Sequence, residues 1–164
     1  MAEGNNIDPW IQFFKTLMDK PCPPELESFV EDKDVIEERD KTLTWKIKGI
    51  ASKTTYRLFS KFGNPTYVDE KFTAFSERFK ETFAIPLLES HLAQVFKRKT
   101  NFVGSKTLNF GIKYVQQAAK LPLTMKVLYP FIEKILFEMI IPIMMVTHHD
   151  VTLFKDDPIE YIRK

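Results

Sequence analysis

The hydrophobic positions along this chain recur with the period of an α-helix, and five segments follow that period. In residues 43–62 one arc of the helical wheel, at about 100° per residue, collects the apolar side chains. Its members are Leu43, Ile47, Ile50, Thr54, Leu58 and Phe62. No segment shows convincingly the alternation with period two that a half-buried β-strand requires. The pattern therefore predicts an all-α chain whose second helix packs through this arc and through a further face that carries Trp45 and Tyr56.

Capping residues, glycine and proline set the bounds of the predicted helices. Asp8 and Pro9 have the sequence of a helix start, and Gly63 with Pro65 that of a helix end. Pro86 is expected to kink or divide the third helix, because it removes a backbone donor. The expected helices span 9–20, 43–62, 72–99, 105–120 and 122–146. The fifth is apolar nearly all round, which is typical of a helix with neighbours on several sides.

Five helices in succession, each needing more than one neighbour, favour a stack of helix pairs over a closed bundle. Both arrangements fit the pattern. Repeats of the HEAT type span about 40 to 47 residues, and these pairs are longer, so periodicity alone does not separate the two.

An acidic segment stands between the first two helices. Residues 21–24 contain three prolines and are not expected to be helical, and residues 25–40 carry eight carboxylates. We expect a solvated acidic loop over 21–40 with fragments of order. The charge then reverses, because residues 41–61 contain no acid, and Lys46, Lys53 and Arg57 form a basic stripe beside the apolar arc.

Composition narrows the class of protein. A chain of 164 residues with 44% hydrophobic content can bury one core. A net charge of +2 gives no general attraction to nucleic acid or to acidic membranes. The single cysteine, Cys22, fits a reducing compartment. Charges at Glu133, Lys134 and Glu138 argue against membrane insertion of the most apolar stretch. Residues 1–6 lack a signal peptide and are either native, a disordered start, or part of a tag.

The sequence contains no strong candidate for a catalytic or metal-binding site. The motif Thr147–His148–His149–Asp150 suggests a metal or hydrolase site, but adjacent residues on a helix point about 100° apart, which favours a polar helix exit. Cys22 has prolines on both sides and no identifiable base. The five glycines do not cluster into a phosphate loop. We therefore expect no enzyme, no metal and no cofactor.

Three segments resemble a known family. "LTWKIKGIASKTTYRLFSKFGNP", "KTLNFGIKYVQQA" and "IIPIMMVTHHDVTLFKDDPIEYIRK" are similar to consecutive segments of the importin-β nuclear transport receptors, in the importin-seven/importin-eight branch. The closing "DDPIEYIR" is the most specific, because it is similar to an acidic-acidic-Pro-x-Glu-Tyr-Ile-Arg junction that begins the next repeat in this branch. Asp157, Pro158 and Glu160 also have the sequence of a helix start, with few residues left for that helix. The resemblance covers residues 40–164 well and 7–20 loosely.

The resemblance implies a HEAT-repeat α-solenoid fragment of about five helices over residues 7–164, from the N-terminal half of a receptor and truncated inside the next repeat. Helices 9–20, 72–99 and 122–146 would be inner, and 43–62 and 105–120 outer. The implied function is carriage of protein cargo through the nuclear pore under control of the GTPase Ran, with shuttling between cytoplasm and nucleus. Ran would bind mainly outside this fragment, and no direct nucleic-acid binding is expected. The alternative is a helical scaffold or adaptor unrelated to transport.

Two sets of candidate site residues follow. The acidic segment is expected to bind basic cargo through Glu31, Asp32, Asp34, Glu37 and Glu38, unless it docks on Lys46 and Lys53 of its own chain. Phe-Gly nucleoporins are expected in a groove between the two outer helices. Its candidate lining is Trp45, Tyr56 and Phe110, for each of which packing in the core is the alternative role.

Overall fold

The computed structural model describes residues 7–30, 32–144 and 148–163, and most of these residues are helical. The α-helices are α1 Asp8–Asp19, α2 Pro24–Glu27, α3 Lys33–Lys41, α4 Leu43–Phe62, α5 Thr73–Thr82, α6 Ala84–Lys97, α7 Ser105–Ala118, α8 Pro122–Leu128, α9 Ile132–Ile135, α10 Ile141–Met144, α11 His148–Asp156 and α12 Pro158–Arg163. Short 3-10 turns span Pro65–Tyr67, Glu70–Phe72 and Tyr129–Phe131, and a π-helical segment spans Leu136–Ile140. Within the described ranges no strand forms beyond an isolated bridge between Ser28 and Asn101, so the all-α prediction is confirmed.

The chain divides into two compact units, one ending at Pro130 and one beginning at Phe131. In the first unit α4 packs against α1 and α7, while α6 packs against α1, α5 and α7. Helices α1 and α6 therefore form one layer, and α4 with α7 forms the other. This arrangement of stacked helix pairs is the HEAT-like fold that the sequence predicted.

Aromatic rings join the two layers of the first unit. The ring of Tyr114 lies between two others, stacked on Phe59 at 4.3 Å and on His91 at 4.4 Å between centroids. Its hydroxyl donates a hydrogen bond to the carbonyl oxygen of Ala84 at 3.0 Å. A fully buried tyrosine hydroxyl needs such a partner, and here it ties α7 to the start of α6.

The bounds predicted for α4 are confirmed, but the predicted apolar arc is not its main buried face. Leu43 and Ile50 are 72% and 60% exposed, and the other arc residues are half-buried. The buried residues include Trp45, from the second predicted face, and the small or polar Gly49 and Thr55. A Cβ atom added to Gly49 would lie 3.0 Å from Cβ of Lys106 in α7. The small residues allow α4 to approach its neighbours closely, which matters more here than the hydrophobicity of the arc.

The long third helix is divided in two, as Pro86 predicted. The break lies at Phe83, which joins α5 to α6 with φ −114° and ψ −26°. Pro86 is the third residue of α6, where its missing N–H would have no intrahelical acceptor. The proline therefore helps set the start of α6 without interrupting its hydrogen bonds.

The prediction of one continuous helix over 122–146 is wrong for the described residues. The segment is broken by the turn at Tyr129–Phe131 and by the π-helical residues Leu136–Ile140. Its side chains are also less buried than expected, since Phe137 is 59% exposed and Met144 is 77% exposed. Pro130 explains the first break, because a proline inside a helix removes a donor and crowds the preceding turn.

The acidic segment is more ordered than the expected loop. Most of it forms α2 and α3, and the carboxylate of Asp32 caps α3 by accepting from the backbone N–H groups of Asp34 and Val35 at 2.9 and 3.1 Å. An aspartate at this position stabilises a helix start by about 1 kcal/mol. Capping and the positive residues of its last turn, Arg39 and Lys41, account for a helix in so acidic a sequence.

The helix start predicted near the end of the chain is confirmed. α12 begins at Pro158, and the N–H of Tyr161 donates to the carbonyl oxygen of Asp157 at 3.1 Å. Residues 1–6, for which a tag was considered, lie outside the described residues. Among the helices that are described, none has the length and apolarity needed to cross a membrane.

Candidate functional site

Two of the three residues predicted to bind nucleoporins meet on the surface formed by α4 and α7. The rings of Tyr56 and Phe110 lie 5.8 Å apart between centroids, at an interplanar angle of 35°. Both side chains are half-buried. They form the floor of a shallow groove between the two helices, which we call the α4–α7 groove.

Trp45, the third predicted residue, lies in the core. It is 2% exposed and packs edge-to-face on Phe102 at 5.5 Å between centroids. Its indole Nε1–H donates to the carbonyl oxygen of Leu26 at 3.2 Å. The structure thus shows for Trp45 the core role left open by the sequence, and it excludes an outward position for this side chain.

Cations line both walls of the α4–α7 groove. Lys46, Lys53 and Arg57 are exposed on α4, as the sequence predicted. On α7, Lys106 faces Gly49, and the ammonium of Lys113 lies 5.3 Å from the centre of the Phe110 ring. These two lysines were not predicted from the sequence. They are seven residues apart and so lie on nearly the same face of a helix, and this spacing could have identified them as a second basic row.

A cleft of about 640 Å³ opens beside the C-terminal ends of the same two helices. Asn64 and Pro65 line one side, just beyond the end of α4. Lysines from three elements line it as well, Lys80 of α5, Lys120 after α7, and Lys126 of α8. Its apolar lining comes from Leu121, Pro122 and Leu123, and its acidic lining residue is Glu77. The cleft can therefore accept a negatively charged group beside an apolar one.

The residues predicted to bind basic cargo are exposed wherever the structure describes them. Asp34 and Glu38 face solvent, and Glu37 pairs weakly with Lys41 at 3.9 Å. Asp32 is occupied in capping α3, and Glu31 lies outside the described residues. In the described part of the chain none of these acids bonds Lys46 or Lys53, so the alternative of docking on the basic stripe gains no support.

A buried lysine closes the end of α1. Lys48 is 3% exposed, and its ammonium donates to the carbonyl oxygens of Met18 at 2.6 Å and of Lys20. The side-chain amide of Gln94 adds a bond to the same Met18 oxygen at 3.1 Å. Burial lowers the pKa of Lys48, although Cys22 and Glu27 nearby oppose the shift. Helices α4 and α6 thus cap α1 through their side chains.

Beside Lys48, an ion pair anchors the acidic segment. Lys97 of α6 donates to both carboxylate oxygens of Glu27 at 2.6 and 2.7 Å. Burial alone would raise the pKa of Glu27, but the bonds from Lys97 outweigh it and lower the pKa. Burial, with a smaller contribution from Glu27, raises the pKa of Cys22 to about 11 despite the opposing charge of Lys48. A thiol with so high a pKa is a poor nucleophile at neutral pH.

The described residues contain no group of three or more His, Cys, Asp or Glu side chains placed to hold a metal ion. The side chains of His148, His149 and Asp150 lie outside the described part, as does Thr147. What the molecule does present is an exposed basic groove with an aromatic floor and a separate exposed acidic helix. Both are features of protein-binding surfaces.

Comparison with known proteins finds similarity along the whole chain. Importin-8 of Homo sapiens is 29% identical over 164 residues, which cover 99% of this chain and 15% of that protein. Importin-8 of Mus musculus is 30% identical, with 99% of this chain and 16% of that protein covered. The importin beta-like SAD2 homolog of Arabidopsis thaliana is 26% identical, with coverage of 100% and 16%. No family model matches the chain, and no solved structure does.

The chain thus spans 15% to 16% of the length of these relatives. Each of them matches 99% or 100% of it, a span that includes the acidic segment. The paired helices of the first unit agree with the helical-repeat fold that this resemblance implied. The resemblance to the importin-β family is therefore confirmed, and the chain is similar over its full length to a segment of importin-8 and of importin beta-like proteins.

Proposed function

We propose that this chain is part of a non-enzymatic nuclear transport receptor that carries protein cargo through the nuclear pore. The observation that carries the proposal is the similarity of the whole chain to importin-8 in two mammals and to an importin beta-like plant protein. Paired helices that expose long faces suit this role, because a stack of such pairs offers extended surfaces for protein partners.

In this proposal the GTPase Ran controls cargo release. Ran bound to GTP favours one shape of the helical stack and cargo favours another, so each ligand shifts the population away from the state that binds the other. The main contacts with Ran lie outside this chain. The receptor shuttles between cytoplasm and nucleus as a consequence.

The test uses the native protein that contains this sequence, labelled with a fluorophore and added to permeabilised cells. We expect accumulation at the nuclear rim, transfer of cargo into the nucleus, and release of cargo when Ran locked in its GTP form is added. A protein that stays at neither the rim nor the nucleus and does not respond to Ran would overturn the proposal. Retention of protein partners under those conditions would favour the scaffold or adaptor alternative.

Phe-Gly nucleoporins are the proposed occupants of the floor of the α4–α7 groove. Tyr56 and Phe110 are half-buried and adjacent, so a Phe side chain between them would lose part of its contact with water. Full enclosure of a Phe side chain contributes about 1.5 to 3 kcal/mol, so a single contact is weak, and several are needed for useful affinity. Trp45 takes no part, because its side chain is buried.

NMR titration with an uncharged Phe-Gly peptide tests this groove. We expect saturable shifts in α4 and α7 that disappear in Tyr56→Ala while the spectrum of the remaining fold is kept. The matched control is Tyr67→Ala, since Tyr67 is 86% exposed and lies outside the groove. No shifts at millimolar peptide, or equal losses in both variants, would rule the groove out as a Phe-Gly site.

Basic cargo is proposed to bind the exposed acids of α3. The proposed residues are Glu31, Asp32, Asp34, Glu37 and Glu38. Because exposed charges are screened by salt, the contact should be weak and depend on ionic strength. Asp32 contributes less than the others, since its carboxylate already accepts two backbone hydrogen bonds.

Neutralising the exposed acids of α3 other than Asp32 tests the proposed cargo surface and keeps the N-cap of this helix. The variant Asp34→Asn, Glu37→Gln, Glu38→Gln is compared with a control that neutralises three exposed acids elsewhere, Glu70, Glu77 and Glu81. We expect the native receptor to lose affinity for a histone at low salt only in the first variant. Unchanged affinity in both would show that the acids of α3 do not contact cargo.

A further inference from the structure

The two helices that form the α4–α7 groove come from the parts of the chain without acidic residues. Residues 41–68 contain no Asp or Glu, and neither do residues 90–132. Whole-chain charge is nearly balanced at +2, so this segregation concentrates positive charge on one surface. Among the described acids of 25–40, Glu25, Glu27, Asp34, Glu37 and Glu38 belong to α2 and α3. Asp40, near the end of α3, accepts from the backbone N–H of Ser105 at the start of α7.

Contacts between α4 and α7 show that the helices run side by side in the same direction. Gly49 meets Lys106, Tyr56 meets Phe110, and Phe59 meets Tyr114, so the numbering rises together on both. Lysines on α7 at intervals of seven residues therefore form a row beside the row on α4. The two rows are Lys106, Lys113 and Lys120 on the α7 side and Lys46, Lys53 and Arg57 on the α4 side.

Lys120 belongs both to the α7 row and to the cleft at the ends of the two helices, where Lys80 and Lys126 also lie. We call these eight cations the basic track. Within the described residues, Lys46, Lys53, Arg57, Lys106 and Lys113 form no ion pair with a carboxylate, and all five are exposed. From Lys106 to Lys120 the track is about 21 Å long at 1.5 Å per helical residue.

We propose that the basic track binds an acidic protein segment, an extended stretch rich in Asp and Glu that follows the α4–α7 groove into the cleft. Charge complementarity carries the inference, since three lysines line the cleft with Glu77 as its acidic lining residue. Asp40, at the α7 end of the track, already accepts from the backbone N–H of Ser105. A length of about 21 Å matches roughly six extended residues. The proposal rests on the charges of α4 and α7, and it is independent of Phe-Gly binding.

The aromatic floor favours a peptide over a single-stranded nucleic acid. Bases bind by stacking on free aromatic faces, whereas Tyr56 and Phe110 lie against each other and are half-buried. The chain's own acids are an unsuitable occupant, because Glu27 is paired with Lys97 and Asp40 accepts from the backbone N–H of Ser105 at 2.8 Å. The expected occupant is therefore a segment of another protein.

The test is fluorescence anisotropy of the full chain with a labelled peptide of alternating Asp and Glu residues that contains no aromatic side chain. A peptide of alternating Asn and Gln is the uncharged control. We expect binding of the acidic peptide only, and affinity that falls as salt rises. Lys53→Glu with Lys113→Glu should weaken binding about tenfold or more, because both walls then repel the ligand.

The matched control is Lys20→Glu with Lys33→Glu, which makes the same change in net charge at exposed lysines outside the track. It should change the affinity less than about twofold, and circular dichroism should show both variants folded. Equal losses in the two variants, or binding of the uncharged peptide, would overturn the proposal.

A single-stranded RNA of the same length that binds as tightly and loses affinity in the same variant would identify nucleic acid instead. Tyr56→Ala should spare the acidic peptide, which separates this result from the fate of the Phe-Gly proposal.

Discussion

At the scale of single residues, His91 is a side chain whose charged form the fold disfavours. It is fully buried, with Nε2 3.0 Å from the hydroxyl of Thr55. That hydroxyl can donate to the carbonyl oxygen of Ala51 at 3.0 Å, so it accepts from Nε2–H. Nδ1 then has no partner among the described residues, and protonation there would bury a charge with nothing to balance it. Burial accordingly lowers the pKa of His91 from 6.5 to about 3.

The low pKa predicts that the protein loses stability in mild acid. Between about pH 6.5 and 3 the unfolded chain binds a proton at His91 and the folded chain does not, so stability falls as pH falls. Linkage gives a loss of about 1.4 kcal/mol between pH 7.5 and 5.5. Urea unfolding at both pH values, compared with His91→Gln, isolates this contribution because other titrating groups remain in both proteins. Equal losses in the two proteins would show that His91 titrates normally when folded.

Lys48 gives a second prediction at this scale. Lys48→Met keeps the length of the side chain but leaves the carbonyl oxygens of Met18 and Lys20 without their charged donor. Hydrogen bonds to a charged group contribute about 1.5 to 3 kcal/mol each, and relief from burying the ammonium offsets part of that loss. We expect a net loss of about 1 to 3 kcal/mol in the free energy of unfolding.

Lys46→Met is the matched control for Lys48→Met, because Lys46 is on the same helix and exposed. It should change the free energy of unfolding by less than about 0.5 kcal/mol. Urea unfolding measures both variants. A Lys48→Met protein as stable as the control would mean that the cost of burying the ammonium equals what its hydrogen bonds contribute.

At the scale of helices, the sequence predicted where the elements lie better than which faces they bury. Local signals such as Pro65 mark the end of α4, and Pro86 the division between α5 and α6, because proline acts on the backbone within a turn or so. Gly63 ends α4 without the left-handed conformation expected of it, since its φ is −70°. The packing face of α4 depends on its neighbours α1 and α7. There Gly49 and Thr55 are buried while Ile50 is exposed, and no local pattern records that close approach.

The residues of the candidate site were likewise predicted only in part from the sequence. Lys53 and Arg57 were recognised as a basic stripe because they are close in the sequence. Their partners in the groove, Lys106 and Lys113, lie 49 to 60 residues further along the chain and are brought close by the packing of α7 on α4. Tyr56 and Phe110 were proposed together only because the family resemblance made both of their helices outer ones.

Close packing of α6 on α7 predicts the effect of enlarging Gly111. A Cβ atom added there would lie 2.9 Å from Cγ2 of Val95, a short-branched side chain with little freedom to move. Gly111→Leu should therefore force α6 and α7 apart and cost about 1 to 3 kcal/mol by overpacking. Ala93→Leu, at an exposed position of α6, is the control and should be nearly neutral. Thermal unfolding of the two variants decides, and a Gly111→Leu protein of native stability would contradict the close contact.

At the scale of the whole molecule, the interactions that hold the fold are distinct from the surfaces proposed to bind partners. Tyr114, His91, Lys48 and the Glu27–Lys97 pair all find their partners within the first unit. The basic track and the acids of α3 make few bonds within the chain and remain exposed. Changes of charge on those surfaces should therefore alter binding while the fold is kept, as the proposed experiments require.

The division into two units leads to a prediction for the chain ending at Pro130. We expect this shortened chain to keep a cooperative unfolding transition, because the ring stack and the hydrogen bond of Tyr114 in its core join residues before 131. The second unit exposes many large apolar side chains: Phe131, Ile132, Leu136, Phe137, Ile140, Ile141, Met144, Val151, Phe154, Ile159 and Ile162. Exposed apolar surface binds hydrophobic dyes and promotes association. The shortened chain should therefore bind less of a hydrophobic dye than the full chain and stay monomeric at higher concentration in ultracentrifugation. Loss of the cooperative transition on removal of 131–164 would show that the first unit depends on the second for its stability.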